Sequence, residues 1–290
     1  RLYPVAPPGK ETQQRVRETL GFRFSNERPR SVRVERRWVR DGIEGEEVSW
    51  SVGYGPRTYA WVLKPEGARE PLPGAVALHD HGGFKYYGKE KIADGPEETP
   101  PVLVPFREQY YGGHAFANAL AKEGFVVLVP DTFLWGSRRF PLDDIPPGDR
   151  NAGAATLSWW KNEHTPDEIA LFNSVSAFHE HTVEKYCHLL GTTLAGVVSY
   201  EDRVAVNYLA SRPDVRGDAI GCVGLSGGGC RSALLQATSD RIRAAVIVGM
   251  MSTFEHLLDH NVITHTWMFL PWGWARYGDW PDLAACRAPS

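Results

Sequence analysis

The run Ala219-Ile220-Gly221-Cys222-Val223-Gly224-Leu225 ends in Ser226-Gly227-Gly228-Gly229 and leads directly into a helical stretch over 227–238. This constrains the fold more than any other feature. A strand that becomes a helix through Gly-x-Ser-x-Gly must turn within two residues. Positions 224 and 228 must then be small, and the serine between them is pushed above the sheet. A serine hydroxyl is a poor nucleophile until it is held at a base and its product oxyanion is stabilised. The first N–H groups of the following helix supply part of that stabilisation. Ser226 is therefore the candidate nucleophile, and the Gly227 N–H is one candidate oxyanion donor. The competing reading is a glycine-rich strand-to-helix turn that binds phosphate or nothing. No G-x-G-x-x-G lies near the start of the chain to make it a dinucleotide site.

The pattern repeats along the chain. Ala75-Val76-Ala77-Leu78 and Phe125-Val126-Val127-Leu128-Val129 precede the elbow, and Ala244-Ala245-Val246-Ile247-Val248 follows it. Helical stretches lie at 114–123, 200–211 and 227–238. Near-continuous apolar strands separated by helices mean a mostly parallel sheet covered on both faces, an α/β fold. Before it, residues 10–20 read as a helix. The alternating stretches 32–40 and 47–63 read as strands of an N-terminal antiparallel ribbon. The chain is read as one domain over 1–290. It carries an N-terminal extension (1–45) and a long cap-like insertion (about 132–190) that is expected to cover a pocket.

In open sheets of this kind, sites lie beyond the carboxyl ends of the strands. After Leu78 stands His79-Asp80-His81-Gly82-Gly83-Phe84. Its glycines permit close backbone approach, and the N–H of Gly83 or Phe84 is the expected second oxyanion donor. His81, Gly82, Trp135 and Trp267 are the expected pocket residues. The H-x-H pair reads as a turn whose imidazoles bond the backbone, because a metal site would need further ligands. No metal is expected.

Two motifs in this order resemble the dienelactone hydrolase and acetyl-esterase branch of the α/β-hydrolases. The resemblance is strongest from Tyr200 to Val248, with Glu201-Asp202-Arg203, Tyr208-Leu209, the elbow, Asp240-Arg241-Ile242 and Ala244-Ala245-Val246. It implies an α/β-hydrolase fold and hydrolysis of a small-molecule carboxylic ester through an acyl-Ser226 intermediate. It also implies no cofactor. Asp202 and Arg203 look structural. A serine peptidase or amidase on the same fold, or an inactive hydrolase-like binding protein, are the other readings.

Such a fold supplies its triad in the order serine, acid, histidine. The acid, the histidine and the final strands of the sheet are expected beyond Ser290, carried on a C-terminal segment that could be a second chain of the same protein. His260 and His265 are the in-chain substitutes for the base, with His256 beside them.

Composition excludes little else. Hydrophobic residues make up 42% and charged residues 23%, with a formal net charge of -3, ordinary for a globular protein. No basic stripe with interleaved aromatics marks a nucleic-acid partner. No apolar run approaches the roughly 18 residues needed to span a bilayer, so no membrane partner is expected. Four cysteines without metal spacing favour a reducing compartment, and the first residues do not read as a signal peptide. A cytoplasmic location is the resulting expectation.

Overall fold

The computed structural model describes residues 3–24, 26–260, 262 and 265–288. In chain order the main elements are α1 (Lys10–Leu20), β1 (Arg30–Arg40), β2 (Ile43–Ser51), β3 (Thr58–Pro65), β4 (Leu72–Leu78), α2 (Leu103–Tyr111), α3 (Phe116–Lys122) and β5 (Val126–Pro130). There follow α4 (Pro147–Ala155), α5 (Asp167–Leu189), α6 (Leu194–Ala210), β6 (Val215–Leu225), α7 (Gly227–Thr238), β7 (Ile242–Val248), α8 (Phe254–His260) and α9 (Trp280–Ala285).

The strands form one sheet in the order β1-β2-β3-β5-β4-β6-β7. β5, β4, β6 and β7 run parallel, and β3 pairs antiparallel with β5. The expected mostly parallel α/β sheet is present. Every residue of β5 is buried, as a strand covered on both faces requires. One face packs on α3 together with Ile92 and Ala93. The other packs on α6, whose Tyr200, Val204 and Leu209 meet Val76, Leu78 and Cys222. α7 joins α6 on that side, and α1 lays Val16 and Leu20 against Ala233 and Ala237.

Two boundaries differ from the sequence reading. The alternating segment 47–63 is two strands, not one, because the chain turns back between Ser51 and Thr58. β3 then pairs with β5, so the ribbon continues the main sheet and no break falls at residue 45. α6 also begins earlier than expected, at Leu194, where the Thr193 hydroxyl caps the helix by accepting the Gly196 N–H at 2.9 Å.

Among the described residues β7 is one edge of the sheet, with β1 at the other, and Val246 and Val248 stand exposed on β7. Among the described residues no helix is long and apolar enough to cross a membrane.

Candidate active site

The elbow forms as its composition requires. Ser226 takes φ 54° and ψ -115°, a region that side chains other than glycine's rarely enter and that costs on the order of 1–3 kcal/mol. Its surroundings hold it there. The Ser226 N–H donates to Val248 O at 2.8 Å, tying the turn to β7. A Cβ on Gly224 would strike the Gly228 backbone, and one on Gly228 would strike the Leu78 carbonyl. A Cβ on Gly227 would lie 2.5 Å from the His81 nitrogen. Glycine is thus required at the contact where the strand-to-helix turn meets the β4 end. Ser226 itself is exposed and faces a cavity of about 470 Å³. As the first helical residue, Gly227 has no intrahelical acceptor for its N–H.

Opposite the elbow, the His79–Phe84 turn corrects one expectation. The Gly83 N–H donates to His81 Nδ1 at 3.0 Å, and the Phe84 N–H donates to the His81 carbonyl at 3.2 Å. Both expected oxyanion donors are therefore consumed within the turn. The N–H groups of His81 and Gly82 take no partner among the described residues, and both residues line the cavity beside Gly227. They replace Gly83 and Phe84 as the second-donor candidates. The imidazoles bond the backbone, as the turn reading required: His79 Nδ1 lies 3.0 Å from the Asp80 carbonyl. Burial, then the charges of Arg231 and Lys91, hold the His79 imidazole well below its ordinary range, so it stays neutral.

Buried charges fix both halves from behind. Arg231 on α7 forms a forked pair with Asp202 on α6 (3.0 and 2.7 Å), and its remaining nitrogen reaches the His79 carbonyl at 3.3 Å. Asp202 is structural here, as expected; Arg203 is too, pairing with Glu27 at 2.7 Å. Glu180 on α5 accepts from His81 Nε2 at 2.8 Å, the Lys85 ammonium at 2.5 Å, the Thr266 hydroxyl at 2.7 Å and the Trp267 N–H at 3.1 Å. Burial alone would push this carboxyl up, but Lys85 and then His81 outweigh it and hold Glu180 well below the carboxylate range.

The other expected pocket residues sort differently. Trp135 is buried behind the turn: its indole N–H donates to the His81 carbonyl at 3.3 Å, and its ring meets the imidazole edge-on at 5.1 Å. Trp267 bonds His181 at 2.8 Å. Neither lines the cavity, and no residue of the 132–190 insertion does. The insertion supports the site through α5 instead of covering it. The remaining wall comes from 249–257 and 265–269, including Met250, Met251, Leu257 and Phe269. His256 and His265 lie on it; His260 does not. His260 stacks on His256 at 4.6 Å, with Nδ1 3.1 Å from the His256 carbonyl, on an exposed turn of α8. Among the described residues none hydrogen-bonds the Ser226 hydroxyl. Sequence reasoning missed Glu180 and Lys85, because neither belongs to a local motif.

The sheet order, the strained serine between strand and helix, and the adjoining His-Gly turn define a class: the chain has the α/β-hydrolase fold. Comparison with known proteins agrees. A Bacteroides fragilis protein provisionally described as an acetyl xylan esterase superposes with a TM-score of 0.72 at 18% identity, over 96% of this chain and 64% of that one. A glucuronoyl esterase from Solibacter usitatus gives 0.56 at 11% identity, over 96% and 71%. In sequence, the chain is 26% identical over 239 residues to YtaP of Bacillus subtilis, provisionally described as a hydrolase, covering 82% of this chain and 62% of that one. The family described as BAAT / acyl-CoA thioester hydrolase C terminal matches residues 200–268, from α6 through the elbow to the Trp267 segment. The chain spans less than two thirds of the length of YtaP and of the Bacteroides protein.

Proposed function

We propose that the protein is a serine hydrolase of carboxylic esters with Ser226 as its nucleophile. The observation that carries this reading is the strained, exposed Ser226 held between the Gly227 helix start and the His81–Gly82 amides at the mouth of a cavity. Ser226 Oγ attacks the ester carbonyl, and its proton passes through a general base to the departing alcohol as the carbon–oxygen bond of the ester breaks. The oxyanion sits between the Gly227 N–H and an N–H of the His81–Gly82 turn. Water then attacks the acyl-serine, releasing the acid and restoring the hydroxyl.

Nothing described bonds the Ser226 hydroxyl; the histidines on the described cavity wall are His81, already engaged on both nitrogens, and His256 and His265, neither of which bonds that hydroxyl. The reading therefore takes the acid and base from residues outside 1–290, added beside the open β7 edge. The esterase neighbours favour an oxoester. The thioester-hydrolase family match favours an acyl thioester as a second substrate class, because the same acyl-serine forms from either.

The test is a fluorophosphonate probe on the full-length protein, with turnover of p-nitrophenyl acetate and an acyl thioester measured beside it. Ser226 should be labelled, and Ser226→Ala should lose about 10⁴-fold or more in kcat. An unlabelled Ser226 in protein that folds would favour an inactive binding protein and overturn the proposal.

A further inference from the structure

We propose that Glu180 is a positioning residue for the oxyanion turn, acting by fixing which nitrogen of His81 carries the proton. This rests on the esterase reading above and adds to it the part played by the insertion.

The hydrogen-bond directions leave one arrangement. The Gly83 N–H is a donor, so the His81 Nδ1 it meets at 3.0 Å must be bare. The proton of a neutral His81 is therefore on Nε2, where it points to Glu180 Oε2 at 2.8 Å. The bare Nδ1 then holds Gly83 N–H inside the turn, with Gly82 at φ 58° and Gly83 at φ 62°. With those two residues fixed, the amides of His81 and Gly82 stay on the cavity side. Glu180 is suited to this because it faces donors alone. Oε2 receives His81 and Lys85; Oε1 receives the Thr266 hydroxyl and the Trp267 N–H. Only an ionised carboxylate accepts from all four. Thr266 also lines the cavity, so one side chain ties the oxyanion turn to the opposite wall.

A glutamine at 180 cannot reproduce this. Its amide NH₂ must face either the Lys85 ammonium or the Trp267 N–H, each a donor that cannot turn away. In Lys85→Met with Glu180→Gln that conflict disappears. The amide oxygen keeps Thr266 and Trp267, while its NH₂ faces His81 Nε2 and requires that nitrogen to be bare. His81 then carries its proton on Nδ1, against the Gly83 N–H, and the turn is pushed open without an unpaired charge left in the interior.

The experiment uses the full-length protein carrying both substitutions. It reads kcat and KM for p-nitrophenyl acetate, and the ¹⁵N shifts of the His81 ring. Expected are a kcat about 10- to 100-fold lower, short of the 10²–10³ for outright loss of one oxyanion donor. KM should stay within about threefold, and the His81 proton should move to Nδ1. Wild-type kcat overturns the proposal, as does an unmoved proton on Nε2. If the unsubstituted protein turns over no ester, the esterase reading fails by itself, and the ring shifts still decide whether Glu180 sets the His81 proton.

Discussion

One wall of the Ser226 cavity is made by the elbow and the His81 turn, the other by α8 and the segment from His265 to Phe269. On the first wall buried pairs stand behind the turns, Arg231 and Asp202 behind α7 and Glu180 and Lys85 behind His81, and the Val248 carbonyl of the edge strand accepts the Ser226 N–H. On the second wall, α8 is a seven-residue helix that buries only Phe254 and Leu257 and leaves His256 and His260 exposed. The difference separates two jobs. Under the proposed esterase reading the oxyanion forms at the first wall, where donors aimed before the charge appears are what stabilise it. The Thr266–Trp267 segment of the second wall is held by Glu180, and Phe269 stacks on Trp280 at 4.6 Å, but among the described residues none of that wall's side chains bonds the Ser226 hydroxyl.

The largest effect is expected from Arg231→Met, which strands Asp202 as a buried charge. Unfolding free energy should fall by about 3–5 kcal/mol in a denaturant titration. A loss near zero would mean that the first wall does not depend on this pair. Gly228→Ala comes next, because its Cβ meets the Leu78 carbonyl. About 1–3 kcal/mol of stability should be lost, and fluorophosphonate labelling of Ser226 should drop more than the stability loss explains.

Along α5 the two acids one turn apart can be contrasted. Glu180 is held low, whereas burial, only partly offset by the Leu194 N–H and reinforced by the charge of Glu180, pushes Glu184 up to about 7. A carboxyl raised in the folded state contributes stability that is complete below its unfolded value and disappears as pH rises through about 7. Melting temperature should therefore decline between pH 5 and pH 8. Glu184→Gln should flatten that decline by about 1 kcal/mol, the full shift being reduced by solvent screening. The smallest effect belongs to His260→Ala, which should change stability by less than about 0.5 kcal/mol and leave Ser226 labelling at the wild-type rate. A lost label would place a base on the second wall after all.

Much of the fold was legible because its signals are local. Apolar runs at 75–78, 125–129, 219–225 and 244–248 each became a parallel strand; for the central runs burial on both faces leaves no place for polar residues, whereas 244–248 lies at an edge with Val246 and Val248 exposed. The elbow was equally legible: Gly224, Ser226 and Gly228 lie within five residues, and backbone sterics alone forces the turn. The candidate second donor was legible only as a loop. The hydrogen bonds of the turn itself decided against Gly83 and Phe84, by using their N–H groups on His81. The aromatic residues misled, because a tryptophan is as much at home behind a wall as on it. Trp135 supports His81 from the interior.

By itself, then, the sequence determined the sheet, its order of strand and helix, and a serine raised on a glycine turn. The signals for these lie within a few residues of one another along the chain. Only the tertiary structure decided what stands behind that serine. Glu180 is 99 residues from His81 along the chain and 2.8 Å from it in space. No periodicity or spacing links two such residues, because what joins them is the packing of α5 against α6 and the Trp267–Phe269 turn and the need of a buried carboxylate for donors.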